Sequence, residues 1–354
     1  MNIGYYPITN NANRYIDISK SCIEAAGNSI VDFNELRYEN MDDVDCVILN
    51  WYESVPSNKS IKILYHIALR VRKILQLKMK HVKIITTFHN KKPHDINNKI
   101  SEKMIKIFYK WLLKNSNKII VLSNNSKNYL LPYLSPKEIR KKTFLIPHPN
   151  YIGEEKSISN LGNKSPKEFK LLFIGQIRPY KNIETLIDAI KDLADYPIYL
   201  VVAGSPSNEE YRHSLLNRTE TSINSNISFD FRFIPEEEMS NLFNNASITV
   251  LPYDIQSSMN SGTVILSFSN GKTVICPRIS TLSDFDESLY YSYSYTNNAD
   301  HKEQLKETIM RAYRDWKNNS SNFESKGMEL YEIVKKNNSK DQLVKCYKRL
   351  FDSI

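Results

Sequence analysis

Short β-branched apolar runs bounded by polar residues recur along this chain, separated by longer segments in which apolar residues return every three or four positions. In the first half the runs are residues 44–49 (VDCVIL), 82–87 (VKIITT), 119–122 (IIVL) and 144–146 (FLI), which read as buried strands. Between them, 61–80 and 99–118 carry a helical period. In 61–80 the residues Ile61, Leu64, Ala68, Val71 and Leu75 share one stripe; the basic segments 61–83 and 99–118 either dock on an anionic inner leaflet by such stripes or, the favoured expectation, turn them to the core with only the lysines reaching lipid. In 99–118, Lys103, Lys106, Lys110 and Lys114 step at three and four. Strands alternating with helices in this way predict a parallel sheet covered on both faces.

A polar Ser/Asn/Gly stretch, 151–168, reads as a linker. The alternation then resumes: strands at 171–174, 198–203, 227–233, 248–251 and 274–276, helices at 182–194, 208–219, 236–245 and 262–270. The expected fold class is therefore α/β with two doubly wound domains. The domains are expected at 1–155 and 165–335, and an amphipathic helix at 338–354 is expected to pack back on the first. A length of 354 residues suits two cores rather than one.

The net charge of +9 is unevenly placed. Residues 1–150 hold 24 Lys+Arg against 12 Asp+Glu, a net of +12, and the remainder nets −3. An excess of this size points to an anionic partner for the first half: a membrane surface, a phospholipid-linked substrate or a nucleic acid. No apolar run reaches the ~18 residues that span a bilayer, and MNIGYYPITN lacks the pattern of a signal peptide. Four scattered cysteines without a CxxC pair argue against a disulfide framework or zinc site and fit a reducing cytoplasm.

Ligands of open α/β sheets bind beyond the carboxyl ends of strands, so strand-end loops hold the candidate residues. Gly175 ends a run and is followed by Arg178, Lys181 and a periodic helix, a setting suited to an anion at a helix start. Ser261-Gly262-Thr263 opens another helix and offers amides and hydroxyls as a phosphate cradle, with Ser261 also a natural N-cap. In the first half, Asn50, Trp51 and Glu53 follow one strand and His89, Asn90 and His94 the next. Glu53 and His94 are candidate general bases. Asn13 and Arg14 lie in the loop after the first strand, where Arg14 is placed to meet phosphate or to serve as a surface residue. His89 and His94 lack a Cys or acidic partner beyond Asp95, which argues against a metal site.

The order strand-Gly-x-x-Arg-x-x-Lys, VVAGSP, FIPEEEMSNLFNNASITVLPY, the Ser-Gly loop and GKTV resembles the donor domain of the group 1, GT4-like GT-B glycosyltransferases, over about 169–280 and more loosely before it. HNKKPH (89–94) resembles a pattern of capsule and exopolysaccharide transferases. The resemblance implies two Rossmann-like domains facing a central cleft. It implies a nucleoside-diphosphate sugar as donor and a hexose-type transfer, with no cofactor and no metal. It assigns Arg178, Lys181 and the 261–263 amides to the diphosphate, and Phe233 and Ile234 to the base. Tyr253 and Ser258 fall in the substrate region, and His89 beside the donor sugar. The acceptor would be a saccharide or lipid-linked chain at an anionic inner membrane surface. Many members carry two glutamates eight positions apart where this chain has Ser258 and Leu266. That departure leaves retention or inversion open, and with it an epimerase-like or inactive relative. A nucleic-acid partner is the remaining alternative, and the chain lacks helix-turn-helix, RNP and zinc-finger signatures.

Overall fold

The computed structural model describes residues 1–10, 14–55, 59–91, 98–153, 168–219 and 226–354. The chain divides into two compact units, Met1–Pro149 with Asn337–Ile354, and Asn150–Lys336.

The first unit is built on β1 (Asn2–Tyr6), β2 (Ser29–Asp32), β3 (Cys46–Asn50), β4 (Lys83–Phe88), β5 (Lys118–Val121) and β6 (Thr143–Leu145). They form one sheet in the order β2-β1-β3-β4-β5-β6, every pair parallel. Parallel neighbours need crossovers, supplied by α1 (Tyr15–Ala25), α2 (Ser60–Met79), α3 (Lys99–Asn115) and α4 (Pro136–Lys142). The central strands are apolar on both faces because both are covered, and all five residues of β3 are buried.

In the second unit, β7 (Phe169–Ile174), β8 (Ile198–Ala203), β9 (Ile227–Asp230), β10 (Ile248–Val250), β11 (Val274–Pro277) and β12 (Tyr291–Tyr293) pair in parallel in the order β12-β11-β10-β7-β8-β9. The helices are α5 (Ile183–Lys191), α6 (Glu209–Asn217), α7 (Glu236–Asn244), α8 (Gly262–Ser269), α9 (Asn298–Asn318) and α10 (Ser320–Asn337). α11 (Lys340–Phe351) belongs to the first unit. Its Leu343, Cys346, Tyr347, Leu350 and Phe351 share a core cluster with Ile3, Tyr15, Ile16 and Cys22. Each such apolar side chain withdrawn from water contributes about 1.5–3 kcal/mol.

One expectation is corrected. The stripe of Ile61, Leu64, Ala68 and Leu75 on α2 does not face the core. Ile61 is 80% exposed and Leu64 56%, and the buried side is made by Ile63, Ile74 and Leu77. The helix carries apolar residues around most of its circumference, so periodicity identified a stripe without identifying which side the sheet covers. The strands β2 and β12 and the helices α9 and α10 were not read from the sequence.

The ends of β7 and β8 come unusually close. A Cβ on Gly204 would lie 1.9 Å from the Gly175 carbonyl oxygen, and Gly204 has φ +144°. Gly175 (φ +123°) donates to Ala203 O at 3.0 Å, and Gly204 to Asp230 O at 2.9 Å. Only glycine combines this backbone with this approach. Gly204→Ala is therefore expected to destabilise the protein by about 3 kcal/mol or more in urea unfolding. A loss below about 1 kcal/mol would show that the strand ends do not meet this tightly.

Candidate functional site

In the second unit three loops converge beyond the carboxyl ends of β7, β8 and β10. After β7, Gly175 opens a turn whose Arg178 leads into a short 3₁₀ turn, Pro179–Lys181. Asn182 then adopts the left-handed region (φ +51°) and starts α5, its side-chain amide donating to Pro252 O at 3.1 Å. The turn is tied to its neighbours by Asp254 N donating to Tyr180 O at 3.0 Å and Ile177 N to Ser205 O at 2.9 Å.

Lys181 is 7% exposed. Its Nζ lies 3.4 Å from where a Gly175 Cβ would stand, and Thr263 Oγ1 lies 3.7 Å from the same point. Gly175, Lys181 and Thr263 are thus brought together, the last at the first turn of α8. Burial, then the charge of Arg178, lowers the Lys181 amine to about 8. No ion pair reaches Lys181 among the described residues.

Ser261 is the N-cap of α8 and accepts from Val264 N at 3.2 Å. It is held from two further sides, by Tyr253 OH at 3.0 Å from its Oγ and by Thr281 Oγ1, which accepts from its N–H at 2.9 Å. Gly262 and Thr263 follow at the helix start, where amides lack intrahelical acceptors and the dipole favours an anion. Ser258 is buried, its N–H donating to Asp254 O at 2.9 Å. Ile234 is a core residue packed with Leu172, Ile174 and Phe243, whereas Phe233 is 65% exposed. Thr281 and Asn182 were not singled out from the sequence. Thr281 lies 20 residues beyond Ser261, with no spacing signal to link them.

In the first unit, β3 ends in Asn50 and β4 leads directly into His89. His89 Nε2 lies 3.1 Å from Asn50 Oδ1, and the ring stacks on Trp51 at 3.9 Å and 18°. Trp51 takes up a left-handed conformation (φ +49°) to present that face. Tyr15 meets both His89 and His148, each at 5.2 Å between ring centroids. Burial, then His148, pulls the His89 imidazole well below its ordinary value, and burial brings His148 to about 4. Both rings are neutral near pH 7. His148 follows β6 and was missed by the sequence reading, although the strand-end rule applied to it.

Glu53 is 1% exposed, and its Oε2 has no hydrogen-bond partner among the described residues. Burial raises its carboxyl to about 7, against a lesser pull from its own backbone and Arg70. Arg14 is exposed at the start of α1, and Asn90 is half-buried beside His89. Asn13 and His94 lie outside the described residues.

Among the described residues no group of three or more His, Cys, Asp or Glu converges. Asp-x-Asp tripeptides occur at 43–45 and 284–286. Asp45 accepts from Asn2 N at 2.7 Å, and Asp286 accepts from Ser288 N at 2.8 Å. No helix among those residues is long and apolar enough to cross a membrane.

Residues 154–329 match the family described as "Glycosyl transferases group 1". A GDP-mannose:glycolipid 4-beta-D-mannosyltransferase of Xanthomonas campestris pv. campestris is 32% identical over 108 residues, which is 30% of this chain and 30% of that protein. The matched segment thus spans about a third of that relative. Among solved structures, Anabaena Alr3699/HepE in complex with UDP and glucose superimposes with a TM-score of 0.68 at 12% identity, covering 100% of this chain and 99% of that one. TarM superimposes at 0.63 and 14% identity over 94% of this chain, which spans 57% of TarM. At these identities the likeness to the solved structures is one of fold. The two parallel six-stranded sheets are those of the GT-B architecture, and residues 154–329 of the chain carry a group 1 glycosyltransferase domain.

Proposed function

We propose that this protein transfers a hexose-type sugar from a nucleoside-diphosphate sugar to a saccharide or lipid-linked acceptor, without a divalent metal. The observation that carries the reading is the convergence of Lys181, Thr263 and the α8 start around Gly175. Lys181 is a buried cation with no anionic partner among the described residues, next to a helix N-terminus. A diphosphate satisfies both. As the glycosidic bond to the donor breaks, negative charge grows on the departing diphosphate. Fixed cations and amides stabilise it there without reorganising. The mannosyltransferase, named for a GDP-mannose donor and a glycolipid acceptor, supports the same reading. So does the neighbour held with UDP and glucose.

His89 is assigned to the sugar. An imidazole with so low a pKa is a weak proton acceptor, so its role is to hydrogen-bond a sugar hydroxyl in neutral form, oriented by Asn50 and Trp51. Phe233 is assigned to the base, as an exposed ring on the loop after β9.

Thermal shift with UDP-, GDP- and CMP-sugars is the first test. One of them is expected to stabilise the protein, and Arg178→Ala and Lys181→Ala are each expected to weaken its binding by about tenfold or more, the scale of a charge-assisted hydrogen bond. If none of the sugars stabilises the parent protein, the donor site is wrong.

The Lys181 amine gives a pH dependence. It binds diphosphate in the protonated form, so above about 8 the complex must take up a proton. Affinity for the nucleoside diphosphate is expected to fall by up to about tenfold per pH unit there, and this slope should be missing in Lys181→Ala. Calorimetric titration at successive pH values measures it.

Glu53 gives a second. Its folded pKa is raised, so it favours the folded state fully below the ordinary value of 4.5, and that contribution is lost as pH rises through about 7. Relative to the parent, Glu53→Gln should gain about 2–3 kcal/mol between pH 5 and pH 8.5 in denaturant unfolding. A pH-independent difference would show that the carboxyl is already charged in the fold.

A further inference from the structure

Two helices of the first unit turn apolar side chains outward. α2 and α3 run side by side in the same direction. Ser60 Oγ meets Ser101 Oγ at 3.0 Å near their starts, and Lys78 Nζ donates to Asn115 Oδ1 at 2.7 Å near their ends. Their inner sides are accounted for: Ile63, Ile74 and Leu77 of α2 and Ile105, Phe108 and Leu112 of α3 are buried. On the outer sides Ile61, Leu64, Tyr65 and Met79 of α2 and Ile100 and Ile107 of α3 are each 56–80% exposed. On α2 these residues recur along one stripe from the first turn to the last. Single exposed apolar residues are ordinary, but two adjacent helices carrying such rows are not.

The charge around these rows has one sign. The two helices hold ten Lys and Arg and one acidic residue, Glu102. Three of the cations are used internally, Arg70 on the carbonyls of Tyr52 and Ser54, Lys73 on that of Phe33 and Lys78 on Asn115. Lys62, Arg72, Lys99, Lys103, Lys106, Lys110 and Lys114 are exposed.

We propose that the outer face of α2 and α3 docks this protein on an anionic phospholipid bilayer. A helix lying in the plane of the interface places its apolar side chains at the headgroup–acyl boundary while cations meet lipid phosphates. Lysine stems lie along apolar surface and keep the ammonium at headgroup level. A second copy of the chain is the weaker occupant, because it would bring the same uncompensated cations together. A nucleic acid would satisfy the lysines and leave Ile61, Leu64 and Ile107 on a wet, anionic surface. The face lies in the first unit and shares no residue with Arg178, Lys181 or the α8 start, so it stands or falls apart from the donor reading.

Co-sedimentation of the full chain with vesicles of phosphatidylcholine alone, or with phosphatidylglycerol added, tests this. Binding is expected to the anionic vesicles, at least about tenfold tighter than to neutral ones, and to weaken with salt. Ile61→Ser with Ile107→Ser should weaken it roughly tenfold on the same vesicles. Lys103→Gln, Lys106→Gln and Lys110→Gln should each weaken it about fivefold. All these positions are exposed, and an unchanged midpoint of urea unfolding confirms that each variant is folded. The proposal is overturned by any of four results: no binding to anionic vesicles, equal binding to neutral ones, variants that bind like the parent, or a dimer in ultracentrifugation that the isoleucine variants dissolve. Binding to duplex DNA that loses nothing in the isoleucine variants, without vesicle binding, would assign the face to nucleic acid instead.

Discussion

An all-parallel sheet sends the carboxyl end of every strand to one edge, and both units owe the position of their polar chemistry to that constraint. In the second unit it brings Gly175, Gly204 and the Tyr253 segment to one place. The contact between Gly175 and Gly204 lets the turn carrying Lys181 sit against the start of α8. A side chain on Gly204 would drive β7 and β8 apart at the point where the cation and the helix start meet. In the first unit the same geometry delivers Asn50 from β3, His89 from β4 and His148 from β6.

The two edges differ in their electrostatics. At the first, burial and mutual proximity leave neutral imidazoles, held by an amide, an indole and a phenol ring. At the second, burial opposes the charge on Lys181 and Arg178 opposes it further, so the unliganded protein holds a cation below its usual strength. An incoming anion removes that opposition. Placing like charges together in a low-dielectric pocket gives little stability and prepares the pocket for a ligand of opposite sign. The neutral edge is suited to hydroxyls and the cationic edge to phosphate.

Much of this was legible in the sequence, for a specific reason. Gly175, Arg178 and Lys181 lie just after an apolar run, and Ser261–Thr263 end the loop that follows another, so the strand-end rule turns these positions into candidate site residues. Thr281 and Asn182 support the same loops and were missed, because their contacts are long-range or depend on a left-handed backbone that the residue type alone does not announce. The short β2 and β12 carry weak period-2 signals. The orientation of α2 was read the wrong way round, since a helix without acidic residues and apolar on most sides gives no sequence signal for which stripe the sheet covers. At the two family glutamate positions the chain has buried Ser258, and Leu266 packed beside Ile234 and Phe243.

The proposed diphosphate site consists of Lys181, Thr263 and the start of α8. A crystal structure with a bound nucleoside diphosphate tests it most directly. Phosphate oxygens are expected within hydrogen-bonding distance, about 2.7–3.2 Å, of Lys181 Nζ and of the Gly262 and Thr263 amides. A nucleotide bound elsewhere, with Lys181 unmoved and its pocket empty, would contradict it.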